Sequence, residues 1–258
     1  MRIAVAGGTG VVGQHVVASL AASGHDPVVL SRSTGVDLTS GIGLAIALDG
    51  ASAVVDVTST SASSAAASSE FFRSVTTNLL AAERQAGVPH HVTLSIVGAA
   101  AVNADYYAGK KVQEDLVLGA GTGWTMLRAT QFHEFAVQLL PRGAIGPIQG
   151  VPTMVSQPVA ASEVGELLAR LATRAPAGPV SDLAGPKVER MSHLVRRYLR
   201  AIGSRRPVLQ VPLRGAFGRS LRDGSLLPGT DAQLGTQTFD EWLALQPEVR
   251  AAAERSVL

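Results

Sequence analysis

The chain has no cysteine, which excludes disulfides, thiolate nucleophiles and cysteine-based metal sites outright. Aromatic residues make up only 4% and charged residues 16%. No apolar run approaches about 18 residues without Gly, Ser or a charge, so a membrane-crossing helix is not expected. The N-terminus lacks a basic segment leading into a long apolar stretch, and a secretory signal is therefore not expected either. These absences point to a cytoplasmic protein. Three catalytic signatures are missing as well. His133-Glu134 has no second histidine at position 137, and neither a Gly-x-Ser-x-Gly elbow nor a P-loop occurs. His90-His91 has no metal-ligand partners at useful spacing and is expected at the surface.

What is present describes a protein with a large core. Hydrophobic residues make up 46% of 258 residues, enough for one large α/β domain. The net charge of +2 is unevenly spread, with eight arginines between Arg196 and Arg222. Only Tyr198 and Phe217 accompany them, so there is no base-stacking pattern. The stretch reads as a solvated helix face with surface loops, and no nucleic-acid partner is expected.

The N-terminus carries the most specific signal. The apolar run Arg2-Ile-Ala-Val-Ala6 breaks into Gly7-Gly8-Thr9-Gly10-Val11-Val12-Gly13, and Val12, Val16 and Leu20 then recur at helical spacing. A strand, a glycine turn and a helix in that order cradle a pyrophosphate, because backbone and helix N–H groups can approach it closely. Further strands are expected at Val28–Leu30, Val36–Leu38, Ser52–Val57, Val92–Val97 and Trp124–Leu127. Helices are expected at about 41–49, 70–86 and 106–118. Such alternation predicts a Rossmann-type, doubly wound parallel sheet covered on both faces. From about residue 141 the pattern loosens, with a helix expected at 162–173, a strand near Val180–Leu183 and a helix at 191–202. Residues 141–258 are expected to add a small substrate-binding lobe to a single domain. The small-residue stretch Thr58–Ser69 reads as a loop leaving the carboxyl end of a strand, where Thr58 and Ser59 would border the ligand crevice.

Two details refine the ligand and the chemistry. An NAD site usually has an acidic residue at the end of the second strand, about 20 residues past the glycines. Here Ser31-Arg32-Ser33 stands instead. A guanidinium suits the 2′-phosphate of NADP(H), and NAD(H) is the weaker candidate. Asp37 and Leu38 could contact the adenine. Further on, Asp105-Tyr-Tyr-Ala-Gly-Lys-Lys111 contains Tyr-x-x-x-Lys twice, as Tyr106/Lys110 and Tyr107/Lys111. Residues four apart share a helix face, and an ammonium beside a phenol favours its ionised form. The lysine could also donate to ribose hydroxyls, and Ser95 could hydrogen-bond a substrate oxygen. His133 reads as a pocket wall rather than an acid.

GGTGVVG, Ser31-Arg32, the Ser95 strand, YYAGKKVQEDL and GWTMLRATQFHEF together resemble atypical short-chain dehydrogenases/reductases of the NmrA-like group. That resemblance covers most of the chain. It implies NADP(H) binding through Gly7, Thr9, Gly10, Val11, Val12 and Arg32, to which the glycine turn itself adds Gly13, and it favours the Tyr106/Lys110 register. It also implies that the segment containing Thr130 faces the nicotinamide. Two departures stand out: Lys111 replaces an apolar residue, and Arg128-Ala129 replaces Arg-Pro. The expected activity is reduction of a small carbonyl, enone or quinone-like substrate, with Tyr106, Lys110 and Ser95 as the catalytic group, in a monomer or homodimer. A cofactor-binding sensor without turnover is the alternative. A sugar-nucleotide epimerase is disfavoured, because its larger substrate lobe usually needs a longer chain.

Overall fold

A computed structural model describes residues 1–62, 64–102 and 104–255. In chain order the elements begin β1 (Arg2–Ala6), α1 (Gly13–Ala22), β2 (Asp26–Leu30), α2 (Leu44–Ala47), β3 (Ala53–Asp56) and α3 (Ala65–Ala86). Next come β4 (His90–Ile96), α4 (Asp105–Leu118), β5 (Gly123–Ala129), α5 (Phe135–Gly143), β6 (Ala144–Ile145), β7 (Ile148–Pro152) and β8 (Val155–Ser156). They continue with α6 (Ala161–Ala172), β9 (Gly178–Pro179), β10 (Leu183–Ala184), β11 (Glu189–Arg190), α7 (Met191–Ala201) and β12 (Val208–Val211). The last are α8 (Gly215–Ser220), β13 (Gln233–Leu234), α9 (Phe239–Ala244) and α10 (Pro247–Arg255). Two compact units result. One comprises residues 1–129 and 161–181, the other residues 130–160 and 182–258.

The first unit is a Rossmann-type α/β fold. Its strands run parallel in the order β2–β1–β3–β4–β5–β9. The central strands are apolar along their length because both faces are covered; Ile3 to Ala6 and Ala53 to Asp56 are all buried. The chain passes from β1 outward to β2, then crosses back to place β3 on the other side of β1. That reversal opens a crevice between the carboxyl ends of β1 and β3, where ligands bind in such sheets.

Three expectations change here. Val36–Leu38 forms no strand and makes only an isolated bridge, Asp37 to Ile42. The Asp37 carboxylate accepts from the amide and hydroxyl of Thr39 (2.9 and 2.7 Å), a local turn that competes with strand pairing. The Thr58–Ser69 loop is shorter than expected, since α3 begins at Ala65, capped by Ser64. Residues 161–181 pack with the first unit rather than with the C-terminal residues.

The second unit is built on short strands. β12 pairs parallel with β7, β7 antiparallel with β6, β8 with β11, and β10 with β13. Its core gathers around α7, whose Met191, Leu194, Val195, Tyr198 and Leu199 are buried. Of the arginine stretch, Arg196, Arg197 and Arg200 lie on α7. Arg197 pairs with Glu189 and Asp240 and lies over the Phe239 ring, while Arg196 donates to the Val208 carbonyl. Among the described residues no helix is long and apolar enough to cross a membrane, and no cluster of potential metal ligands occurs.

Candidate functional site

The glycine turn lies at the crevice between β1 and β3. Gly7 has φ +81°, and a Cβ there would come within 2.9 Å of the Val57 carbonyl after β3. Only glycine lets the two strand ends approach so closely. Gly10 N–H donates to Gly7 O (2.9 Å), and a side chain at Gly13 would collide with that same carbonyl. Helix α1 starts directly from this turn with no side-chain cap on its first N–H groups. Thr9, Gly10 and Val11 reach the surface, whereas Val12 and Gly13 are buried beneath them.

The end of β2 presents the expected polar group. The hydroxyls of Ser31 and Ser33 lie 2.8 Å apart, and Thr34 ties the turn back to Val29 O (2.9 Å). Arg32 opens a short 3₁₀ turn and is exposed. Asp37 and Leu38 are already engaged: hydrogen bonds from Thr39 hold the Asp37 carboxyl below its usual range, and Asn78 donates to Leu38 O.

Tyr106 and Lys110 come together on α4. The Lys110 ammonium stands 5.7 Å from the centre of the Tyr106 ring and 4.4 Å from that of Phe72. Ser59 lies 3.5 Å from the Tyr106 hydroxyl. Lys110 is 2% exposed and donates to Leu94 O (2.8 Å), Gln113 Oε1 (2.8 Å) and Thr58 O (3.3 Å). An ammonium has three hydrogens. Donation to a ribose hydroxyl therefore requires giving up one of these bonds, the longest being that to Thr58. Lys111 is different: it sits at the surface and pairs with Asp115 at 2.7 Å. Ser95 lies one residue beyond Leu94 on β4, buried, and its hydroxyl has no partner among the described residues.

One expectation turns out otherwise. His90 and His91 are buried, not at the surface. His90 Nε2 meets Thr125 Oγ1 and His91 Nδ1 meets Glu83 Oε1, both at 2.8 Å. Thr130 opens the second unit, where its hydroxyl donates to Gln157 O (2.6 Å) and its N–H to Leu183 O (3.0 Å). His133, in the same unit, meets the Gln237 carbonyl (3.0 Å) and packs beside Phe239 and Trp242. The sequence reading passed over Asp56 and Gln113, which are buried next to Lys110. A lone carboxylate within the apolar run SAVVDV was the available signal.

Residues 3–113 match the model of the NAD dependent epimerase/dehydratase family. No curated protein matches the chain. The solved structures that it resembles include a UDP-glucose 4-epimerase with UDP-glucose from Thermotoga maritima, 14% identical with a TM-score of 0.71 over all of both chains. They also include an NADPH-dependent quinone oxidoreductase from Escherichia coli, 17% identical, TM-score 0.65, covering 94% of this chain and 98% of that one. A short-chain dehydrogenase/reductase superfamily protein from Agrobacterium tumefaciens with bound NAD is 17% identical, TM-score 0.66, over 100% and 98%. At these identities the likeness is one of fold.

The length argument against a sugar-nucleotide epimerase does not hold, because the alignment spans all of this chain and all of the Thermotoga epimerase. The donor set suits a phosphate-bearing ligand. Helix α1 begins without a side-chain cap, and the exposed Arg32 guanidinium stands at the end of the neighbouring strand.

Proposed function

We propose that the protein is an NADP(H)-dependent oxidoreductase of the NmrA-like kind, reducing a small, mostly apolar carbonyl, enone or quinone-like substrate. The observation that carries the reading is the half-buried Tyr106 with the buried Lys110 ammonium behind its ring. In this reading the α1 N-terminus and its glycine turn hold the pyrophosphate, and Arg32 with Ser31 and Ser33 holds the 2′-phosphate. A bound nicotinamide dinucleotide supplies the hydride. Tyr106 gives its phenolic proton to the substrate oxygen, Ser95 orients that oxygen, and Lys110 favours the phenolate that is left. The protein acts on a small molecule as a monomer or homodimer, without nucleic acid.

Stopped-flow oxidation of NADPH against a panel of quinones and enals tests the reading. Tyr106→Phe should lower kcat by about a hundredfold or more on any active substrate. Undiminished turnover in that variant refutes Tyr106 as the acid. Tight NADPH binding with no oxidation across the panel would support a sensor instead. The cofactor preference is tested separately, since Arg32→Ala should weaken NADPH far more than NADH. Equal losses would remove Arg32 from the 2′-phosphate.

The family match over residues 3–113 favours a second reading, epimerisation of a nucleotide sugar. There the hydride is taken and returned, so UDP-sugars would be interconverted without net oxidation of the dinucleotide.

A further inference from the structure

Behind Tyr106 four residues close a ring of hydrogen bonds inside the protein. Asp56 Oδ1 accepts from the amide and the hydroxyl of Thr58 (2.9 and 2.7 Å). Asp56 Oδ2 accepts from Gln113 Nε2 (2.8 Å), and Gln113 Oε1 accepts from Lys110. Lys110 closes the ring by donating to Thr58 O, and its remaining hydrogen goes to Leu94 O. The pairing of β3 with β4 ends at Asp56–Thr93, one residue short of Leu94, so that carbonyl lies beyond the ladder. Asp56 and Gln113 are fully buried.

The ring has a direction. A carboxylate has no hydrogen to give, so Gln113 must turn its NH₂ toward Asp56 and its carbonyl toward Lys110. Turned the other way, the amide would set its own donors against those of the ammonium. Asp56 therefore decides which end of Gln113 meets the lysine. It also holds Thr58, whose Cα lies 3.1 Å from where a Cβ on Gly7 would stand. One buried carboxylate thus ties the wall of the glycine turn to the lysine beside Tyr106.

Building on the oxidoreductase reading of Tyr106 and Lys110, we propose that Asp56 and Gln113 are positioning residues that hold the Lys110 ammonium behind the Tyr106 ring. Neither touches substrate or dinucleotide. With its hydrogens directed at protein oxygens, Lys110 acts on Tyr106 through its charge. Loss of the Gln113 link, with Thr58 still held by the side-chain oxygen of residue 56, frees the ammonium and so lowers turnover without weakening dinucleotide binding.

The chain has three lysines, Lys110, Lys111 and Lys187, so reductive methylation followed by mass spectrometry reads Lys110 without any ligand. In the wild type Lys110 should label about tenfold or more slowly than Lys111, as a fully hydrogen-bonded buried group does. Asp56→Asn should bring Lys110 labelling toward that of Lys111. It should also lower kcat for NADPH oxidation by about tenfold or more, with KM for NADPH nearly unchanged. Gln113→Met, which leaves Thr58 on Asp56 and both carbonyls on Lys110, should act in the same direction and is the milder test of folding.

The double variant Asp56→Asn/Gln113→Glu should restore both readouts. The amide introduced at 56 donates to the carboxylate introduced at 113, whose other oxygen accepts from Lys110. Unchanged Lys110 protection in folded Asp56→Asn and Gln113→Met overturns the proposal. So does raised labelling with undiminished kcat, or a folded double variant that restores neither readout. If Tyr106→Phe keeps full turnover, or no panel substrate is reduced, the oxidoreductase reading fails. The labelling pattern then still decides whether the ring holds the lysine.

Discussion

Two helix pairs of the first unit, α3 with α4 and α1 with α6, each close through a glycine. On α4, a Cβ at Gly109 would lie 2.5 Å from the Phe72 ring and collide with the Ser68 hydroxyl. On α6, a Cβ at Gly165 would lie 2.5 Å from the His15 Cβ and 2.9 Å from the Val16 amide. What the two interfaces enclose differs. The α3 and α4 side buries Glu83, Lys110, Gln113 and Glu114. Among the described residues α1 and α6 bury no charged side chain. Their polar groups His15, Glu166 and Arg170 border an open groove of about 420 Å³ with Ala18, Ser19 and Ala22. Close helix approach is thus a shared packing device. Buried charge is costly, and it is concentrated on the side that carries Tyr106.

The largest expected effect tests that buried charge. Burial alone would push the His91 imidazole down, but the charge and hydrogen bond of Glu83, helped by the charge of Asp56, hold it above its ordinary value. A histidine raised in this way contributes stability that is complete below its unfolded value, near 6.5. The contribution is lost as pH rises through the folded value. Glu83→Gln should therefore cost about 3 kcal/mol in the acid range, with the loss shrinking toward alkaline pH. Urea unfolding of both proteins across a pH series measures it. A loss independent of pH would break the assignment of charge to this pair.

The glycines give the next effect and the sharpest contrast. Gly109→Ala and Gly165→Ala should each cost about 1–3 kcal/mol by overpacking. Only Gly109→Ala should also expose Lys110 to methylation and slow NADPH oxidation, because Phe72 supports the lysine from below. If Gly165→Ala did both to the same extent, the two interfaces would be equivalent.

Much of this side was legible in the chain, though not its interior. β1, the glycine turn and α1 were readable because an apolar run, glycines and a helical repeat are all local signals. The structure separates the two Tyr-x-x-x-Lys registers by burial, with Lys110 inside and Lys111 paired at the surface. Spacing could not make that separation, because both registers set a tyrosine and a lysine four positions apart. His90 and His91 looked like surface residues because their partners Glu83 and Thr125 are brought to them by packing. Val36–Leu38 looked like a strand because the Asp37 turn competes locally with pairing. The second unit was least legible. Strands of two residues, such as β8 and β11, carry no measurable alternation, and α5 runs over Pro141 before it ends.

The smallest expected effect lies at the other helix pair and has the opposite sign. Burial pushes His15 below its ordinary value, and the Glu166 charge offsets only part of that. The unfolded chain then takes up the proton more readily than the folded one, so stability from this group is present above the unfolded value and declines as pH falls toward the folded value. His15→Gln should remove that decline, a gain within about 0.5 kcal/mol visible only on the acid side. His90, which burial also pushes down, keeps its share in both proteins and cancels in the difference. Urea midpoints of wild type and His15→Gln at acid and neutral pH give the sign. An acid-side gain as large as the Glu83→Gln loss would mean that ionisation matters equally at both interfaces, and burial would no longer mark the functional one.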